Sequence, residues 1–122
     1  QSQIDQFYIH SVELVKWRYG LMLYPENVLF PFDRVKKGER IIIYGAGNIG
    51  KLYIKQLKML NYCNVVLWAD KNYKQLGDKI CNPGQISCAV YDKVVIAIAD
   101  PDVKKQVTDN LVKSGVKKED II

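Results

Sequence analysis

The chain has 122 residues, 48% of them hydrophobic and 25% charged, which is enough for one globular domain with a real core. Its net charge of +5 is dispersed, since residues 1–38 hold five basic and four acidic groups and residues 39–122 hold thirteen and nine. Without a dense arginine cluster, zinc-finger spacing or RNP-like aromatic motif, that charge excludes nucleic acid as the expected partner.

Residues 3–19 are expected to form an amphipathic helix, with Ile4, Phe7, Tyr8, Val12, Leu14, Val15 and Trp17 making a broad apolar surface. That surface is expected either to pack over an edge of the domain C-terminal to it or to meet a neighbouring domain or a second copy. Tyr24-Pro25-Glu26-Asn27 reads as a turn, and Phe30-Pro31-Phe32 as an extended lead-in whose aromatics anchor the approach to the first strand. We therefore divide the chain into an extension over 1–37 and a domain over 38–122.

Arg40 to Tyr44 is a short isoleucine-rich run of the kind buried on both faces of a parallel sheet. It leads into Gly45-Ala46-Gly47-Asn48-Ile49-Gly50, a G-x-G-x-x-G turn between strand and helix. The three glycines have different expected roles. Gly45 permits the tight turn, Gly47 lets the backbone approach a pyrophosphate, and Gly50 lets the helix lie close to the strand. The phosphates would sit at the helix N-terminus, where unpaired N–H groups and the helix dipole attract anions. Glycine-rich turns also join strands to helices for steric reasons alone, and that alternative stays open here. The same residues spell most of a Walker A loop up to Lys51, but Leu52 stands where Ser or Thr would hold magnesium, which argues against nucleotide hydrolysis.

Ile49, Leu52, Leu57 and Leu60 recur at helical spacing, with Lys51, Lys55 and Lys58 on the opposite face. After a break at Asn61 to Asn64, Val65 to Ala69 reads as a second strand buried on both faces, ending at Asp70. Twenty residues past Gly50, this is where a carboxylate accepts hydrogen bonds from an adenosine ribose. Such a carboxylate repels a 2′-phosphate and favours NAD over NADP, a preference that Lys71 beside it blurs.

The third unit is degenerate: a polar stretch from Lys71 to Gly77, a short candidate strand at Lys79-Ile80, and a turn at Asn82-Pro83-Gly84. Lys93 to Ala99 is a strong buried strand, and Asp100-Pro101 starts a helix with a capping side chain before a proline at the first helical position. Val103, Val107, Leu111 and Val112 are its expected core face, and Ser114-Gly115 its end. Ile121-Ile122 reads as the start of a fifth strand. The alternation implies an α/β fold with a mostly parallel five-stranded sheet in the order 3-2-1-4-5. In that order the Gly45–Gly50 turn and Ala99-Asp100 face one another across the switch-point crevice, so Asp100 reads as a helix cap or as a cap with ligand contact.

Cys63, Cys81 and Cys88 are odd in number and lack a C-x-x-C pair, which fits a reducing compartment better than a disulfide scaffold. With His10 as the sole histidine, no metal site is expected. No apolar stretch approaches the length of a membrane span. The opening Gln1 and the terminal isoleucines lead us to expect a segment of a longer polypeptide.

Taken together, Phe30-Pro31-Phe32, Lys37-Gly38, Tyr44 to Lys51 and Trp68-Ala69-Asp70-Lys71-Asn72 resemble the Rossmann-like modules of bacterial surface-polysaccharide proteins. These occur in nucleoside-diphosphate-sugar epimerases and dehydratases and appended to glycosyltransferases. The resemblance covers roughly residues 30–122. It implies a cytoplasmic nucleotide-binding module, within a membrane-associated biosynthetic complex or free of one, that takes NAD(H) or a nucleotide-diphosphate sugar. It assigns Gly45, Gly47, Asn48, Ile49 and Gly50 to the diphosphate and Asp70 to the ribose. Short-chain epimerases and dehydratases also use a Tyr-x-x-x-Lys pair, and none of the eight tyrosines here has lysine four residues later. No Ser/His/Asp or Cys/His set replaces it, so no catalytic residue is expected. The alternatives are the cofactor-binding half of an NAD-dependent oxidoreductase or sugar epimerase, and a ligand-sensing module that self-associates through residues 3–19.

Overall fold

A computed structural model describes residues 28–122. The expected helix over 3–19 and the turn at Tyr24 to Asn27 lie outside the described residues. Strand β1 is Arg40–Tyr44, helix α1 Asn48–Leu60, β2 Asn64–Ala69, the one-turn α2 Tyr73–Leu76, β3 Lys93–Ile96 and α3 Pro101–Lys113. Short 3₁₀ turns occupy Phe32–Arg34, Pro83–Cys88 and Lys118–Asp120. The strands form a parallel sheet in the order β2-β1-β3, with Tyr44 beside Ala69 on one side and Ile96 on the other.

The central strand owes its place to composition. Ile41, Ile42 and Ile43 are all fully buried, so consecutive side chains are covered on opposite faces. On one face Ile41 and Ile43 join Leu57 of α1, Val95 and the aromatics Phe30 and Phe32. On the other, Ile42 joins Val94 and Ile96 with Val107 and Leu111 of α3. The architecture is thus an α/β sheet flanked by helices.

Two expectations about the sheet are corrected. Among the described residues it has three strands, not five, because the segments at positions three and five supply only the isolated parallel bridges Ala69↔Cys81 and Val94↔Ile121. The first cannot lengthen: Gly77 turns the chain just before it, and Asn82-Pro83 starts a 3₁₀ turn just after it with a residue that lacks an N–H donor. Ile122 donates to the Val94 carbonyl and accepts from Ile96, but the paired stretch is too short to count as a strand. Both bridges lie on the outer flanks of β2 and β3, the places assigned to strands three and five.

The second correction follows from the first. β2 is not buried on both faces: Val66 is 42% exposed, because β2 has a neighbour on its outer side only at its last residue. The pairing with β1 also slips between Ile41 and Ile42, whose partners Val65 and Leu67 leave Val66 as an extra residue. Two smaller departures are that the fourth expected strand ends at Ile96 rather than Ala99, and that Val112 of α3 is 42% exposed while Val107 and Leu111 carry the core face.

The lead-in anchors as its aromatics suggest. Phe30 meets Phe32 and Tyr53 edge to face at 5.0 and 5.4 Å between ring centres, and the Tyr62 hydroxyl donates to the Val35 carbonyl at 2.7 Å. Its principal polar tie is not foreseen by the sequence. Gln56 of α1 is fully buried, accepts from the Phe30 N–H at 2.9 Å, and donates to the Val28 and Leu52 carbonyls at 2.7 and 3.1 Å. Gln56→Leu would keep the volume but leave the Phe30 N–H without its partner. We expect a loss of about 1–3 kcal/mol in urea denaturation.

At the N-terminal ends of β1 and β3, two ion pairs accompany the register. Arg40 grips Asp92 through Nε and Nη2 at 3.2 and 3.0 Å, and the Arg40 backbone N–H adds a third bond at 2.9 Å. Lys93 pairs with Glu39 at 2.9 Å. The Arg40 side-chain bonds, with the backbone bond, hold the Asp92 carboxyl at about 2 instead of 3.8. A carboxylate whose pKa falls on folding stabilises the fold above its ordinary value and loses that contribution as pH falls through the folded value. Asp92→Asn should therefore lower the denaturation midpoint at neutral pH, with the gap to the parent closing as pH drops from 3.8 towards about 2.

Candidate functional site

The glycine turn lies at the C-terminal edge of the parallel sheet, where β1 ends and α1 begins. Gly45 has φ +118°, a conformation L side chains rarely adopt, and a Cβ there would come within 2.8 Å of the Ala97 carbonyl oxygen. Its N–H donates to the Ala69 carbonyl at 2.8 Å, which ties the turn to the end of β2. A Cβ on Gly50 would overlap the Gly45 carbonyl oxygen, so α1 reaches its seat only with glycine at this position. Tight turn and close packing thus account for Gly45 and Gly50.

Gly47 is different. A Cβ there would meet nothing within 4 Å, its φ of −82° is open to any residue, and it is exposed. Packing gives no reason for glycine at this point. Gly47 is the N-cap of α1, whose first turn has neither a side-chain cap nor an acidic residue, and Asn48 beside it is also exposed. The first intrahelical bond runs from Lys51 N–H to the Gly47 carbonyl, so the donors before it are orphans of the helix start.

The structure brings Asp70 to this turn. Its Oδ2 accepts from the Ala46 N–H at 2.8 Å and its Oδ1 from the Asn72 N–H at 2.8 Å. A carboxylate offers about four lone-pair sites, so each oxygen keeps capacity for a further donor. Beside it, Trp68 Nε1 donates to the Gly45 carbonyl at 2.8 Å. Sequence reasoning does not single out Trp68 as a site residue; the signal is an indole N–H, which seeks a partner when buried, two residues before Asp70.

Ala99 and Asp100 are exposed at the same edge of the sheet. Asp100 is occupied elsewhere: its Oδ1 accepts from the Asp102 and Val103 N–H groups at 2.9 and 3.5 Å, capping α3. Ala97, not Ala99, approaches the turn, through its carbonyl at Gly45 and through its N–H to the Tyr44 carbonyl at 2.8 Å. Burial, with the charge of Asp70, raises the Tyr44 phenol above its ordinary value.

The three cysteines are free, and burial, with the Glu39 charge, pushes the Cys63 thiol up to about 11, a poor nucleophile at neutral pH. Among the described residues, no group of three or more His, Cys, Asp or Glu could hold a metal ion, and no helix is long and apolar enough to cross a membrane.

The model of one family, described as C2185-like, N-terminal, matches residues 37–122, and the chain belongs to that family. No curated protein and no solved structure matches it significantly.

The glycines separate experimentally. Gly50→Ala should cost about 1–3 kcal/mol or more in urea denaturation, since α1 must shift off the strand. Gly47→Ser should leave stability within about 0.5 kcal/mol of the parent, because serine is a good N-cap and its Cβ has room.

Proposed function

We propose that this C2185-like N-terminal domain is a Rossmann-like module that binds a ribose-bearing diphosphate, NAD(H) or a nucleotide-diphosphate sugar, at the Gly45–Gly50 turn. The diphosphate would rest on the free N–H groups at the start of α1, and the ribose hydroxyls would donate to Asp70. Three strands in the central order β2-β1-β3, with single bridges on both outer flanks, are compatible with that architecture.

The observation that carries the reading is a contrast between two helices of one chain. α1 and α3 are both thirteen residues long, and both follow a strand of the same parallel sheet. α3 starts in the ordinary way, with an aspartate accepting from its first N–H groups. α1 starts on an exposed Gly47 that caps nothing, in open space, with the Asp70 carboxylate one residue from it on the Ala46 N–H. For the fold alone, Ser, Asn or Asp at 47 would serve as well or better. A ligand backbone lying against the turn is what a side chain at 47 would obstruct.

The module is read as non-catalytic by itself: the described residues offer binding groups at the turn but no paired acid and base beside them. The resemblance of Tyr44 to Lys51 and Trp68 to Asn72 supports placing it in a bacterial surface-polysaccharide protein, as a cytoplasmic part of a larger biosynthetic assembly.

Calorimetric titration of the full chain with NAD⁺, NADH, UDP-glucose and UDP tests the reading. Saturable binding of at least one is expected, weakened about tenfold or more by Gly47→Ser and by Asp70→Ala, with the parent's circular dichroism retained in Gly47→Ser. A folded chain that yields no binding heat and no thermal shift with any of the four would overturn it. Equal binding by Gly47→Ser would move the ligand away from this turn.

A further inference from the structure

The face of β1 that packs against α3 carries a recess, which none of Gly45–Gly50, Asp70, Ala99 or Asp100 lines. Its volume is about 330 Å³, at the lower end of the roughly 300–1,000 Å³ of small-molecule sites. It lies between α3 and the 3₁₀ turn Pro83–Cys88, with Tyr44 in its wall. The chain layout explains the space. The return from the Cys81 bridge to β3 is made by a six-residue 3₁₀ turn instead of a long helix, so the sheet beside α3 is only partly covered.

The walls have a definite chemistry. Ile86, Val107 and Leu111 are buried and supply an apolar base. Tyr44, Ser87 and Asn110 supply hydrogen-bonding groups, and none of the lining residues is charged, in a chain that is 25% charged. Tyr44 is partly buried, and its hydroxyl is open to solvent and makes no hydrogen bond among the described residues, which leaves it able to donate to a ligand. Ser87 Oγ donates to the Gly84 carbonyl at 3.0 Å and keeps its own acceptor sites.

We infer that this recess is a second binding site, taking an uncharged planar ring that bears an amide or amide-like edge. The ring would cover the apolar base, and the edge would pair with the Tyr44 hydroxyl and the Asn110 carboxamide. Charged analogues are disfavoured because no counter-charge lines the walls, and a desolvated ion would be left unpaired there. None of the residues from Gly45 to Gly50, nor Asp70, lines the recess.

Benzamide and benzoate, alike in shape and differing in charge, make the test, with methyl-resolved NMR on the full chain as the readout. Benzamide is expected to shift the methyl resonances of Ile86, Val107 and Leu111 in a saturable way, with benzoate at least about tenfold weaker. Tyr44→Phe, which keeps the ring and removes the hydroxyl, should weaken benzamide about fivefold, the worth of about one hydrogen bond. Ser87→Phe, at an exposed position on the rim, should abolish the shifts while α1 resonances stay in place. Absence of saturable shifts at these methyls, shifts confined to the Gly45–Gly50 turn, or equal binding of benzoate would each overturn the proposal. The wild-type titration alone decides it should a variant fail to fold.

Discussion

The close approach of α1 to the end of β1 is the constraint on which the rest of this domain depends. Gly50 sits over the Gly45 carbonyl with no room for a side chain, and the same carbonyl takes a hydrogen bond from the Trp68 indole. That contact sets where α1 starts and hence where its free donors point. It also presses Leu57 and the buried Gln56 against the sheet and lead-in. Each surrounding residue addresses one part of the same turn: Ala69 through Gly45 N–H, Asp70 through Ala46 N–H, and Ala97 through its carbonyl beside Gly45.

The two ends of the sheet are held by different forces. At the start of β1 and β3, Arg40–Asp92 and Lys93–Glu39 pair charges across the two strands. Burial opposes ionisation of Glu39, yet the Lys36 N–H and Lys93 ammonium bring its carboxyl below the usual value. At the other end the ties are mostly to backbone, and the exposed groups are donors of a helix start. A parallel sheet places all its C-terminal ends on one edge, so one end carries the ion pairs and the other carries the helix-start N–H groups and the Asp70 carboxylate.

Much of this is legible in the residues themselves. The isoleucine run of β1, the glycine turn and the Asp100-Pro101 helix start are local patterns with local causes, and each stands in the structure where its residues imply. The outer strands are not local: an Ile-Ile or Lys-Ile pair becomes a strand only if a neighbour runs beside it for several residues, and Pro83 prevents that on one flank. Val65 to Ala69 looks like a strand covered on both faces by composition, yet its burial depends on that missing neighbour. Gln56 is not legible because a glutamine on a lysine-bearing helix reads as a surface residue, and its buried partners lie 26 and 28 positions away. The motif gives Gly47 a role apart from Gly45 and Gly50, and the space around it bears on that separation: a Cβ would clash at the other two and meet nothing within 4 Å here.

The Gln56 tie also has a mechanical side. It fastens the backbone at Val28 and Phe30 directly to α1, two turns along from the helix start at Asn48. The Tyr62 hydroxyl, just past the end of α1, adds bonds to the Phe32 and Val35 carbonyls, so the lead-in is held at two places before the loop at Lys37 and Gly38. The lead-in and the helix that starts at the glycine turn are thus joined by side-chain-to-backbone bonds as well as by the chain itself.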